Sequence, residues 1–175
     1  SCHIHSLSFS HSGTKLAFMV SRTRDWCDWD NHRLYVHSLD SRQTDRVWTG
    51  DIVAADMLNP YESVQPLPWS PDDAKLLLGV PGGKILEVLL DKGAVREVAD
   101  GYLPAGYIKP DRILLLRKVG RKDERFRLVS CRRGGEDEAA LLDIHGPHQM
   151  RAPLLWPDGN HISVAALIYP NGHPQ

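Results

Sequence analysis

The residues with the clearest potential for chemistry lie in a polar segment, Arg22 to His32 (RTRDWCDWDNH). Trp26 and Trp29 in this segment offer large aromatic faces, which can anchor a protein partner or stack on a ligand. Tryptophan is usually mostly buried, so both side chains could instead cover the edge of a sheet. The segment therefore favours either a contact site for a partner or a structural cover for neighbouring strands.

Carboxylates from Asp25, Asp28 and Asp30 alternate with these tryptophans. Oxygen ligands of this kind suit a hard cation such as Ca²⁺. Their spacing is not that of an EF-hand loop, and neither the glycine nor the terminal glutamate of such a loop is present. We therefore predict no metal and no cofactor, and we assign Asp28 and Asp30 to the same partner-binding surface as the tryptophans.

Catalytic signatures are missing from the sequence. It contains no G-x-S-x-G nucleophile elbow, no phosphate-binding P-loop and no G-x-G-x-x-G fingerprint. Two histidine pairs, His3 with His5 and His145 with His148, lack the spacing of zinc ligands. The three cysteines are widely separated, as is typical of free thiols, and they are Cys2, Cys27 and Cys131. We predict no catalytic residue in this chain.

Composition excludes several classes of partner. The chain has 175 residues, 25% of them charged, with a formal net charge of −1. This balance does not favour nucleic acid or an anionic membrane surface as the main partner. No apolar run approaches the roughly 18 residues that span a bilayer. The chain begins at Ser1 with no signal segment, and we expect it to be a processed or excerpted part of a longer protein.

A basic group lies between Arg117 and Arg127 and is interleaved with two acids, Asp123 and Glu124. It crosses a predicted hairpin, where oppositely charged side chains can pair between strands. Cross-strand charge pairing is the favoured interpretation, and a weak site for an anionic ligand is the alternative.

A repeated turn shows which elements must position these side chains. An apolar residue, a tight turn and a β-rich run occur together four times, with turns at Phe9–Gly13, Trp69–Asp73, Ile108–Arg112 and Leu155–Gly159. The corresponding turn positions are separated by 60, 39 and 47 residues. A four-stranded propeller blade takes about 40–50 residues, so the repeat predicts blades of a β-propeller.

The runs between the turns have the patterns that such blades require. Segments such as FRLVSC alternate with period two, and KLLLGV is apolar throughout, as in a strand packed between two sheets. We predict an all-β fold of four-stranded antiparallel blades, forming one partial propeller domain over residues 1–175. Its predicted blades, about 3.5 in number, cover residues 4–49, 64–100 and 103–142, with a partial blade at 150–175.

The units FSHSGTKLAFMVS and WSPDDAKLLLG resemble the TolB-type, WD-like propeller repeat. The same repeat builds the N-terminal propeller of the prolyl oligopeptidase family. The resemblance implies a closed ring of six or more blades, which is more than this chain supplies. Because a partial ring leaves open sheet edges, we expect possible self-association through them.

The first repeat is longer than the others because of two insertions, Arg22–His32 and Gly50–Ser63. Antiparallel geometry places both on one face of the propeller, where Met57 and Tyr61 would join the tryptophans. Inserted loops on a rigid scaffold often bind partners, so we predict a non-catalytic module that contacts a protein or peptide there. The alternatives are the substrate-gating propeller of a serine oligopeptidase and, third, a propeller enzyme with acids in its central channel.

Overall fold

A computed structural model describes eight segments of the chain: residues 3–21, 32–52, 67–120, 125–145, 149–150, 153–155, 161–164 and 166–167. These segments form strands and turns. They include no helix long and apolar enough to cross a membrane. The predicted all-β class is therefore confirmed.

Blade 1 is a four-stranded antiparallel sheet in the order β1-β2-β3-β4. Its strands are β1 (His3–Phe9), β2 (Lys15–Ser21), β3 (His32–Ser38) and β4 (Thr44–Gly50). The sequence pattern predicts the last two strands over Leu34–Leu39 and Arg46–Thr49, and in the structure each begins two residues earlier. Buried and half-buried side chains alternate along β3, as a strand with two different faces requires.

Blade 2 contains β5 (Lys75–Val80), β6 (Lys84–Leu89) and β7 (Ala94–Asp100). The strand expected before β5 is reduced to a single bridge between Trp69 and Leu76. Pro68 has no N–H to donate, although its carbonyl oxygen accepts a hydrogen bond from the Leu77 N–H at 3.0 Å. A proline at this point suits a short strand end.

Blade 3 has four antiparallel strands, β8 (Leu103–Lys109), β9 (Arg112–Val119), β10 (Arg125–Arg132) and β11 (Ala139–His145). The fourth copy of the repeat forms two short pairings. They join β12 (Gln149–Met150) to β15 (Ala166–Leu167), and β13 (Leu154–Leu155) to β14 (Ile162–Ser163). The structure thus has three sheets and a partial fourth blade.

The turns before β2 and β5 have the same geometry. Ser10 and Ser70 each donate a backbone N–H to the lysine five residues on, at 2.9 Å in both turns. Gly13 and Asp73 occupy the same position and both have positive φ, 71° and 53°. The two turns are therefore structurally equivalent, although glycine tolerates this backbone conformation and aspartate adopts it less readily.

Consecutive blades pack face to face through apolar cores. Along β5, Leu76 and Leu78 belong to the core shared with blade 1, whereas Leu77 belongs to the core shared with blade 3. Successive side chains of a strand point to opposite faces, so a strand between two blades must be apolar at every position. This explains the uninterrupted run KLLLGV.

Candidate functional site

A cleft of about 300 Å³ opens between blades 1 and 2. The residues that line it come from strand ends at one edge of the two blades. At this edge, one turn connects the first strand of a blade to the second strand, and another turn connects the third strand to the fourth. We call it the inter-blade cleft. It therefore lies at the opposite end of blade 1 from Ser21 and Gly50, where β2 and β4 end.

The wall of the inter-blade cleft is apolar. Val36 on β3, Val47 on β4 and Leu90, the residue after β6, line it. Val36 is buried in the core between blades 1 and 2, and the other two pack against that core. The wall is therefore an extension of a packed core, which gives the cleft a rigid shape.

Four aspartates line the same cleft: Asp45, Asp72, Asp73 and Asp91. The Asp72 carboxylate accepts hydrogen bonds from the Ser70 hydroxyl at 2.5 Å and from the Ala74 N–H at 3.3 Å. The hydrogen bond from Ser70 is the main reason that the pKa of Asp72 lies below its ordinary value of 3.8. Asp72 is therefore ionised at neutral pH and held in one orientation.

Asp45 and Asp91 are exposed, and within the described part of the chain neither forms a salt bridge. Asp45 accepts one hydrogen bond, from the Gln43 amide at 3.2 Å. The one cation that lines the cleft is Lys15, and its ammonium group donates to the Asp73 carbonyl at 3.1 Å. The charges of the cleft residues thus leave it strongly negative.

These acids do not converge on one point. Among the residues that the structure describes, no three histidine, cysteine, aspartate or glutamate side chains gather closely enough to hold a metal ion. The aspartates are instead spread around an apolar wall. Such an arrangement suits an organic cation with an alkyl stem more closely than a bare metal ion.

A second cluster of charges, with a buried carboxylate at its centre, joins blades 2 and 3. Glu87 on β6 is fully buried, and its carboxylate accepts hydrogen bonds from Arg96 Nε at 2.7 Å and the Tyr107 hydroxyl at 2.9 Å. Arg133 completes the cluster with an ion pair at 3.0 Å. Burial, followed by the charge of Glu87, raises the pKa of the Tyr107 hydroxyl. Because Glu87 has no solvent access, we assign the cluster to holding the blades together.

The architecture matches known propellers. The structure is similar to that of a protein assigned as TolB from Agrobacterium tumefaciens, with a TM-score of 0.63 and 16% identity, over 97% of this chain and 60% of that one. It is also similar to oligogalacturonate lyase from Vibrio parahaemolyticus, with a TM-score of 0.62 and 12% identity, over 97% of this chain and 48% of the lyase. A prolyl endopeptidase matches with a TM-score of 0.56 and 16% identity, over 90% of this chain and 24% of the peptidase.

The chain has the fold of a TolB-type β-propeller. No protein-family model and no curated protein matches the sequence. The propeller described here spans about 60% of the TolB structure and about half of the lyase. At these levels of identity the similarity establishes the fold and leaves the function to be argued from the site.

The predicted partner-binding residues lie outside the described part of the propeller. Trp26, Asp28, Trp29 and Asp30 fall in residues 22–31, and Met57 and Tyr61 fall in residues 53–66. Their grouping into one surface stays a prediction.

Sequence reasoning missed the inter-blade cleft. Its aspartates come from β4, from the turn before β5 and from the turn after β6, and only the packing of blade 1 on blade 2 brings them together. Asp72 and Asp73 stand in the repeated turn that the sequence shows. Asp45 and Asp91 occupy different positions in their blades, so the repeat gave no signal for them.

Two arginines of the basic hairpin β9–β10 form charge pairs with acids of β11 or of the turn before it. Arg127 on β10 and Asp143 on β11 are direct cross-strand partners, with Nε and Oδ1 2.5 Å apart. Arg117 pairs with Glu138 at 2.6 Å. The two arginines are therefore charge-paired, but with acids outside the hairpin, and the predicted pairing within it stays a prediction because Asp123 and Glu124 lie outside the described residues. Cys131 is a free, buried thiol whose pKa is raised by burial, so it is poorly suited to act as a nucleophile.

Proposed function

We propose that this chain is a non-catalytic propeller module that binds a protein or peptide partner, and that the inter-blade cleft receives a lysine or arginine side chain of that partner. The observation that carries the proposal is the combination of an apolar wall with two exposed aspartates, Asp45 and Asp91, that have no salt-bridge partner among the described residues.

The chemistry of a long basic side chain matches this arrangement. Its methylene stem would lie along Val36, Val47 and Leu90, while its charged head would reach the carboxylates at the rim. Exposed ion pairs contribute only about 0.2–1 kcal/mol each, so the acids would select the side chain more than they would tighten its binding. Affinity would come mainly from apolar contact and from the rest of the partner.

The first test replaces Asp45 and Asp91 together by asparagine. Dodecapeptides selected on the wild-type protein from a random phage library are expected to be enriched in lysine and arginine. The double variant is expected to bind the best of them about three- to tenfold more weakly, because two weak ion pairs are lost. Fluorescence anisotropy with the labelled peptide measures this change.

Glu136→Gln is the matched control, because Glu136 is an exposed acid in the corresponding turn of blade 3. It removes a similar charge away from the cleft and is expected to leave binding unchanged. Selected peptides without basic residues, or equal weakening by both variants, would contradict a role for the cleft.

The insertions of the first repeat give a separate prediction. If Trp26 and Trp29 anchor a partner, replacing both by alanine is expected to weaken that partner's binding at least about tenfold. The thermal unfolding midpoint is expected to stay within a few degrees of the wild type, because the anchor role requires side chains that are not part of the core. A large fall in this midpoint would favour the alternative that they cover a sheet edge.

The alternative function, a substrate-gating propeller of a serine oligopeptidase, concerns the whole gene. Similarity to a prolyl endopeptidase establishes the fold alone, so it does not favour this function over a free-standing module. Sequencing the complete reading frame decides between the gating role and a free-standing module. A downstream G-x-S-x-G motif followed by an aspartate and a histidine would select the gating role.

A further inference from the structure

The inter-blade cleft has a counterpart between blades 2 and 3, and the repeat allows the two places to be matched residue by residue. Leu90 lines the cleft and follows the third strand of blade 2, and its N–H donates to the Ala74 carbonyl at 3.0 Å. Arg133 follows the third strand of blade 3, and its N–H donates to the Asp111 carbonyl at 3.2 Å. Ala74 and Asp111 each come directly before the second strand of their blade. Leu90 and Arg133 are therefore equivalent.

The register of the strands matches the other wall of the two places. Val36 and Glu87 each pair with the third residue of the second strand of their blade. They are therefore equivalent, and so are their partners on the fourth strand, Asp45 and Arg96. The counterpart of the cleft thus has Glu87 in place of Val36, and Arg96 in place of Asp45.

An arginine of the chain itself fills the counterpart, which we call the Arg133 site. Arg133 Nη2 lies 3.0 Å from Oε1 of the buried Glu87, and the next residue, Gly134, donates its N–H to the Val98 carbonyl at 2.7 Å. Val98 is only 3% exposed there. Its equivalent in the cleft is Val47, the extra residue at the same bulge of the fourth strand, and Val47 is only half-buried. The Arg133 site is therefore closed over its wall, whereas the cleft is open.

The cleft has carboxylates where the Arg133 site has the groups that close it. Asp45 stands in place of Arg96, and Asp91 stands in place of Gly134. Leu90, in place of Arg133, is uncharged and shorter. Within the described part of the chain, no arginine lines the cleft. The cleft thus supplies an apolar wall and acids, but not the guanidinium group that the equivalent place holds.

We propose that the inter-blade cleft receives arginine in preference to lysine, with the guanidinium group in the position that Arg133 takes between blades 2 and 3. This inference rests on the proposed function, because it specifies which basic side chain the cleft receives. Asp45 belongs to the wall from blade 1, and Asp91 belongs to the wall from blade 2. A guanidinium group carries five N–H donors that point in several directions, so it can donate to both walls.

Lysine meets these requirements less well. Its ammonium group is a compact point charge that binds water strongly, whereas a guanidinium group is planar and more weakly hydrated. Placing the head group against Val36 and Val47 therefore costs less for arginine. The buried Glu87 shows the same chemistry within this protein, since its carboxylate binds the guanidinium groups of both Arg96 and Arg133. Arginine and lysine carry the same charge, so a preference between them reports the geometry of the site.

Two synthetic versions of the best selected dodecapeptide test this preference. They differ only in having arginine or lysine at every basic position. Fluorescence anisotropy is expected to show that the wild type binds the arginine version about two- to fivefold more tightly. In the variant that carries both Asp45→Asn and Asp91→Asn, this ratio is expected to fall to about one, because the carboxylates on both walls are gone. Glu136→Gln, the control away from the cleft, is expected to keep the wild-type ratio.

Leu90→Arg gives a second test, because it places in the cleft the residue that blade 3 has at the equivalent position. The new arginine is expected to fill the cleft and to weaken binding of the arginine peptide at least about tenfold. Leu90→Lys is the matched control, since it removes the same apolar contact and adds the same charge. It is expected to weaken binding at least about twofold less than Leu90→Arg does. Circular dichroism checks that both variants keep their β structure.

Equal affinity of the wild type for the two peptides would overturn the preference for arginine, and so would an equal loss in Leu90→Arg and Leu90→Lys. If equal affinities came with a large loss in the double asparagine variant, the cleft would still be a site for basic side chains. The proposed function would then stand without this inference. If the double variant bound both peptides as tightly as the wild type does, the proposed function and this inference would fail together.

Discussion

Replacing Glu87 with alanine is expected to lower the free energy of unfolding by about 2–4 kcal/mol. The Glu87 carboxylate is fully buried and binds Arg96, Tyr107 and Arg133. Without the carboxylate, the Tyr107 hydroxyl loses its hydrogen-bond acceptor. Arg96 and Arg133 lose the negative charge with which they pair. Urea denaturation followed by circular dichroism measures the loss.

Glu97→Gln is the control for Glu87→Ala. Glu97 is half exposed on the neighbouring strand β7 and pairs with Lys84 at 2.7 Å. A surface pair contributes at most about 1 kcal/mol, so this variant is expected to lose much less stability. If both variants lost the same stability, the Glu87 cluster would contribute no more to the contact between blades 2 and 3 than a surface ion pair does.

Replacing Asp73 with alanine is expected to cost about 2–4 kcal/mol of stability. The loss has two sources. The carboxylate no longer accepts hydrogen bonds from His11 and Ser12 of blade 1, and alanine must adopt the φ of 53° found at this position. Urea denaturation followed by circular dichroism measures this loss of stability.

Two further variants separate these sources. Asp73→Gly also removes the carboxylate but tolerates the positive φ, as Gly13 does in the equivalent turn, so it is expected to be about 1 kcal/mol more stable than Asp73→Ala. Asp72→Ala removes the neighbouring acid, whose hydrogen bonds stay within its own turn, and is expected to cost less. An Asp73→Ala loss no larger than that of Asp72→Ala would contradict the connection between the blades.

The contribution of Asp73 is also expected to depend on pH. Burial opposes ionisation of this carboxyl, but hydrogen bonds from Ser12 and His11 outweigh it, so its pKa lies below 3.8 in the folded state. The stabilisation is therefore complete above pH 3.8 and is lost as the pH falls through the folded-state pKa. The stability difference between wild type and Asp73→Gly should narrow below that pH, and a constant difference would contradict this assignment.

Much of the architecture follows from local sequence patterns. The turns before β2 and β5 are closed by contacts within five residues, such as the Lys15 N–H donating to the Ser10 hydroxyl at 3.1 Å. Such contacts depend on neighbouring residue types, so the turn motif predicts them. Strand ends were less predictable, because β3 and β4 extend two residues beyond their most apolar parts to complete the ladder of hydrogen bonds between them.

Only the packing of blades determined the partners of individual side chains. The sequence by itself determined the class of fold and the repeat, because turn chemistry and strand alternation are local properties. Tertiary structure decided that Tyr107 reaches Glu87 across 20 residues of chain and that Asp73 reaches His11 across 62. It also decided that Asp45 and Asp91 border one cleft. These relations depend on how one sheet lies against the next, and that arrangement is set by long-range contacts that no short segment encodes.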